Sequence, residues 1–489
     1  MERKQAEHIV LKLKRVIEKE FQNQHLEETL RLISLCADVL YNTNIYYMDP
    51  ELESSLQKIS GYLLSTKKCA DIAADADADV VFFYDGFGLD NRGLAQIYLK
   101  AIGTEKKLCY VTYKHRSREI PETLSLVQSL GGSVCFLDSG KYIEQIHQLN
   151  SFLQSSKAGH FFLYAYPSDV VATTLLYSYE GLLKRYQINL TDHAFWLGAG
   201  CLDTCIEFRD YGGSISLQYR NIPEHKLAVL PFYPRINREQ PFQGFPFPVT
   251  PENKVIFSGG ALYKTLGKEN KYYEIVDHLL AKHRQAIFWY AGTGDDTQMR
   301  KLMDKYPSRL FLTEERKDLF QLLQQCYFYL NTYPISGGLM YQYAACAGKL
   351  PLTLRISDDN SGILLNQEQL GIDFETPEEV MQEIDRLMED EIYAEKKSAL
   401  MKDCVISQEK FQKELAQILQ QGFSTYRVIN KSVDAEVLQQ TCLEQISPAD
   451  IRNLFAQREY MQVIFRHYPI LFFQGMLEKA VQKIKNKFL

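Results

Sequence analysis

The fold class is decided by the stretch that contains DVVFFYD (79–85), GLAQIYLKAI (93–102) and KLCYVTY (107–113). The first and third runs are continuously apolar, as expected of parallel strands that are buried on both faces. The run between them has the spacing of an amphipathic helix. A strand, a helix and a second strand in this order predict a βαβ unit and a parallel sheet covered by helices.

The same alternation continues on both sides of a segment with five prolines, PFYPRINREQPFQGFPFPVT (231–250). Two successive α/β regions predict two Rossmann-like lobes, and the proline-rich segment without periodicity predicts a linker. The further apolar runs are SVCFLD (133–138), HFFLYAY (160–166) and RYQINLTD (185–192), then KVIFSGG (254–260), AIFWYAG (286–292), RLFLT (309–313), YFYLNT (327–332) and KLPLTL (349–354). The predicted domains are a helical preface (1–75), a first lobe (76–235), the linker (236–250), a second lobe (251–430) and a helical tail (431–489).

The composition is that of a globular protein, with 46% apolar and 24% charged residues in a chain of 489. A net charge of −6 argues against nucleic acid as a partner. The N-terminus is charged throughout, and no apolar run reaches the length of a membrane span, so we expect a cytoplasmic protein. The ten cysteines are then expected to be reduced thiols, and no metal site is predicted for the close pair Cys201 and Cys205.

A pair of glycines follows one of the predicted strands in the second lobe. In YPISGGLMYQYAACAGKLPL (333–352), Gly337 and Gly338 open a helix that closes at Gly348. Glycines at a helix start let the backbone approach a ligand, and the unpaired N–H groups favour a phosphate. This order of strand, small-residue loop, helix and Gly-Lys-Leu-Pro resembles the donor-binding segment of GT-B glycosyltransferases. Eleven residues separate Gly337 from Gly348, the spacing of the peptidoglycan GlcNAc transferases.

The resemblance implies that this segment binds a nucleotide-sugar donor, UDP-linked by analogy, with Ser336, Leu339 and Gln342 beside the glycine pair. Many GT-B enzymes carry a ribose-binding Glu on this helix, and here Tyr343 stands at the corresponding position. The paired Glu motif of retaining enzymes is also missing, which favours inversion.

Two other segments of the second lobe match parts of the GT-B donor site. The first strand of the lobe ends in a glycine-rich loop followed by a basic residue, the family's arrangement for meeting the donor diphosphate. The stretch 288–333 resembles the strand, Gly-x-Gly and turn that lie over the nucleobase. The residues that the resemblance implies are Ser258, Gly259, Gly260 and Lys264 in the first segment, and Gly292, Gly294, Thr313 and Arg316 in the second.

An Asp-His pair near the end of the first lobe is the candidate for catalysis. Asp192 and His193 follow a predicted strand and precede Phe-Trp-Leu-Gly, an order that resembles a segment in bacterial glycosyltransferases of surface-polysaccharide and protein glycosylation. A histidine oriented by a carboxylate can remove the proton of an acceptor hydroxyl. We predict His193 as the base, with Asp192 or Glu207 as alternatives.

A glycine-rich loop after the first strand, YDGFGLDNRGLAQ (84–96), matches the first β–loop–α of a GT-B acceptor lobe. It also resembles a dinucleotide-binding fingerprint, but it has too many residues before the third glycine. The residues expected near the acceptor are Asp85, Gly86, Gly88, Asp90 and Arg92.

The last 39 residues, 451–489, carry seven Lys or Arg against two Glu. Basic and apolar side chains at the end of an acidic chain are typical of an element that lies on an anionic membrane surface. A helix pair that packs on the body of the protein is an equally good interpretation. Membrane contact would place the protein on the inner face of the membrane and would suit a lipid-linked acceptor.

The resemblance covers roughly residues 78–430. It implies a metal-independent Leloir glycosyltransferase of bacterial surface-glycan or glycoconjugate synthesis, with a glycan, lipid-linked or protein acceptor. A UDP-sugar 2-epimerase uses the same two lobes and needs no acceptor. A catalytically silent carbohydrate-binding partner subunit and a protein glycosyltransferase are also compatible with these residues.

Overall fold

A computed structural model describes residues 1–64, 76–267, 269–355 and 361–488, apart from the side chains of Arg92 and 482–488. Contacts divide the chain into two units. The first unit comprises residues 1–230 together with 412–489, and the second comprises residues 231–411. Each unit is built around one parallel sheet, so the predicted α/β class with two Rossmann-like lobes is confirmed.

The first unit contains seven parallel strands in the order β3-β2-β1-β4-β5-β6-β7. The strands are β1 Asp77–Asp85, β2 Lys107–Tyr113, β3 Ser133–Leu137, β4 Ala158–Tyr164, β5 Lys184–Ile188, β6 Thr204–Glu207 and β7 Leu227–Val229. The helices up to this point are α1 Arg3–Gln22, α2 Leu26–Thr43, α3 Pro50–Leu63, α4 Leu94–Gly103, α5 Pro121–Ser129, α6 Tyr142–Ser156, α7 Val170–Tyr177 and α8 Asp210–Tyr219. The buried parts of β1 and β4, in the centre of the sheet, are almost wholly apolar because helices cover both of their faces.

The second unit contains six parallel strands in the order β10-β9-β8-β11-β12-β13. They are β8 Lys254–Gly259, β9 Ala286–Ala291, β10 Leu310–Thr313, β11 Phe328–Leu330, β12 Pro351–Leu354 and β13 Asp373–Phe374. The helices are α9 Lys271–Lys282, α10 Thr297–Lys305, α11 Leu319–Gln325, α12 Gly338–Cys346, α13 Gln367–Leu370, α14 Pro377–Glu389 and α15 Glu391–Ala399. The division between the units falls inside the next helix, α16 Gln408–Gln421.

The proline-rich segment, predicted as a linker, packs as part of the second unit. Phe247 stacks on Phe311 with ring centroids 4.2 Å apart, and Phe245 and Phe247 both meet the ring of Trp289 edge-on. Aromatic side chains at alternate positions give this segment a core face, so it covers one side of the second sheet.

The helical preface and the C-terminal helices join the first unit, which differs from the predicted division. The C-terminal helices are α17 Ala435–Gln445, α18 Pro448–Phe455, α19 Met461–His467 and α20 Pro469–Phe488. Phe455 and Ile464 are buried in the same core as α1 and α2, and the hydroxyl of Tyr460 donates to Asp38 at 2.6 Å. The second lobe therefore ends near residue 411 rather than 430. Among the described residues, no helix has the length and apolar character needed to cross a membrane.

Candidate functional site

The strand order of the second sheet reverses between β8 and β11. In open α/β sheets ligands bind at such a point, beyond the carboxyl ends of the strands. The loops that follow these two strands are joined by a hydrogen bond of 3.3 Å, which the N–H of Ile335 donates to the carbonyl oxygen of Lys264. Lys264 and the glycine pair of α12, more than seventy residues apart in sequence, are thus brought to one edge.

The loop before α12 is shaped by one asparagine. Asn331 Oδ1 accepts hydrogen bonds from the N–H groups of Thr332 and Gly337, both at 3.0 Å. The Thr332 hydroxyl donates to the carbonyl of Ile335 at 2.6 Å. Gly337 then caps α12 without a side-chain hydrogen bond from the described residues, which leaves the first turn of the helix able to receive an anion.

The glycines at this edge fall into two kinds. A Cβ at Gly292 would lie 1.9 Å from the Gly260 carbonyl oxygen, and a Cβ at Gly259 would lie 3.0 Å from the Ala291 carbonyl. These two glycines are needed for the close packing of neighbouring loops. At Gly260, by contrast, the nearest atom to an added Cβ is Lys264 Cδ at 4.0 Å, and at Gly338 it is Ile363 Cδ1 at 3.3 Å. Gly260 therefore borders open space, whereas a Cβ at Gly338 would press only on the end of the Ile363 side chain.

Three of the other predicted donor residues have their polar groups engaged inside the unit. The Arg316 guanidinium pairs with Asp318 at 2.7 and 2.8 Å and also donates to the Gly244 carbonyl. Ser258 is buried and accepts a hydrogen bond from Tyr272, and Thr313 Oγ1 accepts one from the Trp289 ring nitrogen. Ser336 and Leu339 are half-buried beside the glycine pair, and Gly294 is exposed.

Tyr343, at the position where many GT-B enzymes carry a ribose-binding Glu, and its neighbour Gln342 hold the start of the second unit. The Gln342 amide donates to the Phe232 carbonyl at 2.8 Å, and the Tyr343 hydroxyl donates to the Arg235 carbonyl at 2.6 Å. Both side chains fix the backbone of the proline-rich segment against α12.

In the first sheet the strand order reverses between β1 and β4, and Asp85 stands at the end of β1. Its carboxylate accepts from the N–H groups of Phe87 and Gly88 and from the Tyr110 hydroxyl at 2.7 Å. Burial raises the pKa of Asp85 to about 6. The hydrogen bonds from the Gly88 N–H and the Tyr110 hydroxyl act in the opposite direction, because they stabilise the charged carboxylate. Asp85 therefore shapes its loop from inside the unit.

The remaining predicted acceptor residues also build this loop. Asp90 accepts from the N–H groups of Glu122 and Thr123 at the start of α5. A Cβ at Gly88, whose φ is +57°, would collide with Arg116, and a Cβ at Gly86 would press on Asp169. Arg92 ends a short 3-10 turn, and its side chain lies outside the described residues.

His193 lies on the loop after β5, with 44% of its side-chain surface exposed. Its Nδ1 is 3.4 Å from Oδ1 of the fully buried Asp192. Arg220 donates to the carbonyls of Asp192 and Ala194, and Asn44 donates to the carbonyl of His193, so the loop is held on both sides of the ring.

The two alternatives to His193 are buried carboxylates. Asp192 pairs with Arg209 at 2.6 and 3.0 Å. Burial by itself would raise the pKa of Asp192, but the Arg209 guanidinium and the His193 ring outweigh it and lower the pKa to about 2. Glu207 accepts from Asn189 and Ser216, and burial raises its pKa despite the charge of Arg220. Of the three residues, His193 alone exposes its side chain, and Asp192 is placed to orient it.

Sequence reasoning missed the residues that position these groups. Asn331 is signalled only by its place after a strand, and Arg220 and Asn44 reach the His193 loop from positions far away in the chain. Long-range side-chain contacts to backbone carbonyls leave no local pattern in a sequence.

One group of described residues could hold a cation. Ligand atoms of His283, Asp385 and Glu389 lie within 4.8 Å of one another. The Lys282 ammonium already bridges the two carboxylates, at 2.7 and 3.3 Å. The group lies at the C-terminal end of α9, a helix that runs back towards the amino ends of the strands, so it is remote from the candidate donor edge.

The chain has the GT-B fold, as its likeness to solved structures shows. A mutant of the Thermobaculum terrenum O-GlcNAc transferase is 14% identical, with a TM-score of 0.52 over 89% of this chain and 82% of that one. A glycosyltransferase from Rickettsia africae is 9% identical, with a TM-score of 0.50 over 70% and 97%. A UDP-GlcNAc 2-epimerase from Neisseria meningitidis, solved with UDP-GlcNAc, is 13% identical, with a TM-score of 0.48 over 70% and 99%. No protein-family model matches the chain, and comparison with curated protein sequences gives no match.

Proposed function

We propose that this chain is a glycosyltransferase whose second unit binds a nucleotide-sugar donor at the edge between β8 and β11. The observation that carries the proposal is the hydrogen bond between Ile335 and Lys264, because it sets the backbone of Lys264 beside the start of α12, which no side chain of the described residues caps. A compact ammonium charge and unpaired helix N–H groups are the two elements that stabilise a diphosphate without a metal ion. The open space beside Gly260 supports the same placement.

The proposed reaction assigns the proton to His193. Its imidazole takes the proton of an acceptor hydroxyl, whose oxygen then bonds to the anomeric carbon of the donor sugar. The bond from that carbon to the diphosphate breaks, and its electron pair leaves with the nucleoside diphosphate. Lys264 and the start of α12 stabilise the charge that develops on this leaving group. Attack by an external hydroxyl in one step inverts the anomeric centre.

The proposed donor is UDP-linked, and the proposed acceptor is a hydroxyl of a surface glycan or glycoconjugate carried on a lipid. Contact with an anionic membrane surface through the C-terminal range 451–489 would bring the enzyme to such an acceptor. The proposal requires no metal ion, because Lys264 and α12 supply the positive charge at the diphosphate.

A binding screen followed by product analysis tests the proposal. Thermal unfolding with UDP-, GDP-, CMP- and dTDP-sugars identifies the donor, because a ligand that binds the folded state raises its unfolding temperature. Incubation with that donor and a glycan acceptor, with and without EDTA, should release nucleoside diphosphate and give one inverted linkage in both cases. Interconversion of the free donor with no acceptor would identify an epimerase instead, and activity lost in EDTA and restored by Mn²⁺ would overturn the metal-independent mechanism.

A further inference from the structure

The last helix, α20, presents an apolar stripe to solvent. Ile470, Phe473, Leu477 and Val481 recur at intervals of three and four residues, which sets them along one face of the helix. Their exposed fractions are 73%, 60%, 67% and 45%. The same spacing continues in the sequence to Ile484 and Phe488. Large apolar side chains are rarely exposed in a continuous row unless a partner covers them.

The opposite face of α20 is fixed to the first unit, so the direction of the stripe is set. A Cβ at Gly475 would lie 2.5 Å from the Arg452 carbonyl oxygen, which shows how closely α20 approaches α18. Arg452 pairs with Glu478 at 2.5 and 2.7 Å, and Lys479 donates to the Ala456 carbonyl. The helix therefore packs through Gly475, Glu478 and Lys479 and leaves the stripe facing outward.

Exposed Phe465 extends the apolar surface beyond α20. Its ring meets the ring of Phe473 edge-on with centroids 5.9 Å apart, and it is 54% exposed. Phe455 and Ile464, which lie in the same range predicted as interfacial, 451–489, are instead buried in the core. The structure thus divides the predicted interfacial range. The buried faces of α18 and α19 belong to the body, and the stripe on α20 forms the outer surface together with Phe465, which lies on the exposed face of α19.

The charge of the helix indicates what covers the stripe. From residue 469 to the end the sequence has four lysines and one acidic residue, Glu478, in a chain whose net charge is −6. Glu478 is already paired with Arg452. A helix with an apolar row and an excess of lysine suits the boundary of an anionic lipid layer, where apolar side chains enter the acyl region and ammonium groups meet phosphates.

We infer that the stripe Ile470, Phe473, Leu477 and Val481, with Phe465, inserts into an anionic membrane surface with α20 lying parallel to it. This deepens the proposed function, since it places a lipid-carried acceptor within reach. A second copy of this chain fits the surface less well, because symmetric pairing of two such helices would bring their excess positive charges together.

Tryptophan fluorescence tests the inference directly. The two native tryptophans, Trp196 and Trp289, are both buried. In Phe473→Trp, the emission is expected to shift to the blue and to be quenched by brominated vesicles that contain phosphatidylglycerol. The matched control is Ile392→Trp, at a residue of the second unit that is 66% exposed, and its emission should remain unquenched. Equal quenching of the two variants, or quenching of neither, would overturn the inference.

Charge-neutral substitutions separate insertion from simple charge attraction. The double substitution Phe473→Gln and Leu477→Gln is expected to lower partition onto anionic vesicles about tenfold or more, since two apolar side chains that enter the membrane are lost. Ile392→Gln with Leu400→Gln should leave partition unchanged. Wild-type protein that ignores vesicles but sediments as a dimer, which the Phe473 and Leu477 variant abolishes, would make a second copy the occupant and contradict the inference.

The same variants are assayed for donor binding by calorimetry, so the two proposals fail independently. Normal donor affinity without vesicle binding would reject the membrane surface and leave the proposed function standing. Vesicle binding by a protein that takes up none of the nucleotide sugars would reject the donor site alone.

Discussion

The carbonyl oxygen of Lys264 accepts a hydrogen bond from the main-chain N–H of Ile335 at 3.3 Å. This contact fastens the loop after β8 to the loop after β11, across the point where the strand order of the second sheet reverses. A conformational change that opened it would separate the lysine from the start of α12. The proposed donor site depends on this relationship because neither the lysine nor the helix start alone is specific for a diphosphate.

Lys264→Met should weaken nucleotide-sugar binding by about 10- to 100-fold, the range expected when a charge-assisted hydrogen bond is removed. Methionine keeps most of the length and apolar surface of the lysine stem. Lys301→Met on α10, an exposed lysine of the same unit, is the matched control and should bind normally. Calorimetry measures both, and equal affinity in the two variants would remove Lys264 from the site.

Gly338→Val should abolish donor binding with the fold retained. The added side chain would stand at the first residue of α12, where the diphosphate is proposed to approach. Among the described residues, the atom nearest to its Cβ is Ile363 Cδ1 at 3.3 Å, the end of a flexible side chain. Gly140→Val, at a glycine with no neighbour within 4 Å among the described residues, is the control for substitution at a glycine. A variant that melts like wild type and still binds donor would show that the helix start is not used.

His193→Ala should lower turnover by a factor on the order of 10²–10⁴, the usual contribution of a positioned general base. Donor affinity should stay close to that of wild type, because His193 belongs to the first unit and the proposed donor site to the second. Asp192 is ill suited to replace it, since its carboxylate is buried against Arg209. Steady-state kinetics with calorimetry provides the test, and near-normal turnover would move the assignment to another residue.

Asp85→Asn should change how stability depends on pH. The pKa of Asp85 is raised to about 6 in the folded protein, whereas an aspartate in the unfolded chain has a pKa of about 3.9. The protonated carboxyl is therefore favoured in the folded state relative to the unfolded chain. The folded state then binds more protons between these values, and stability falls as the pH rises from about 4 to about 6. A pKa rise of this size corresponds to about 3 kcal/mol.

The neutral amide that replaces the Asp85 carboxylate in this variant can still accept from the N–H groups of Phe87 and Gly88, but it does not titrate. Urea unfolding of both proteins at several pH values between 4 and 7 measures the difference. The free energy of unfolding of the variant should exceed that of the wild type by a growing amount as the pH rises. If the free energies of unfolding of the two proteins differ by a constant amount throughout this pH range, the raised pKa is contradicted.

Continuous apolar runs such as DVVFFYD made the strands of both sheets predictable, because strands buried on both faces leave no room for polar residues. The strands β6, β7 and β13 were missed, since two to four residues are too few to show a period. The arrangement of Gly337 and Gly338 after a strand predicted the helix start that the structure contains. The hydrogen bond that joins this helix start to the loop of Lys264 was not predictable, because it is donated by the main chain at position 335 and any residue other than proline could make it.

Roles that depend on distant partners could not be predicted. Asp85 and Arg316 each suggested ligand contact by residue type and position. In the folded units their charges are satisfied by Tyr110 and Asp318 respectively, together with nearby backbone groups. The tail shows the same difficulty, since exposed Phe473 and buried Phe455 have similar surroundings in the sequence.

The structure of the protein with a bound nucleoside diphosphate is the most direct test of the proposed donor site in the second unit. We expect a diphosphate within hydrogen-bond distance of the N–H groups of Gly338 and Leu339, with the Lys264 ammonium on its other side. A diphosphate bound elsewhere, for example at the glycine-rich loop of residues 86–93 in the first unit, would contradict the proposed donor site, as would a structure in which Lys264 points away from the phosphates.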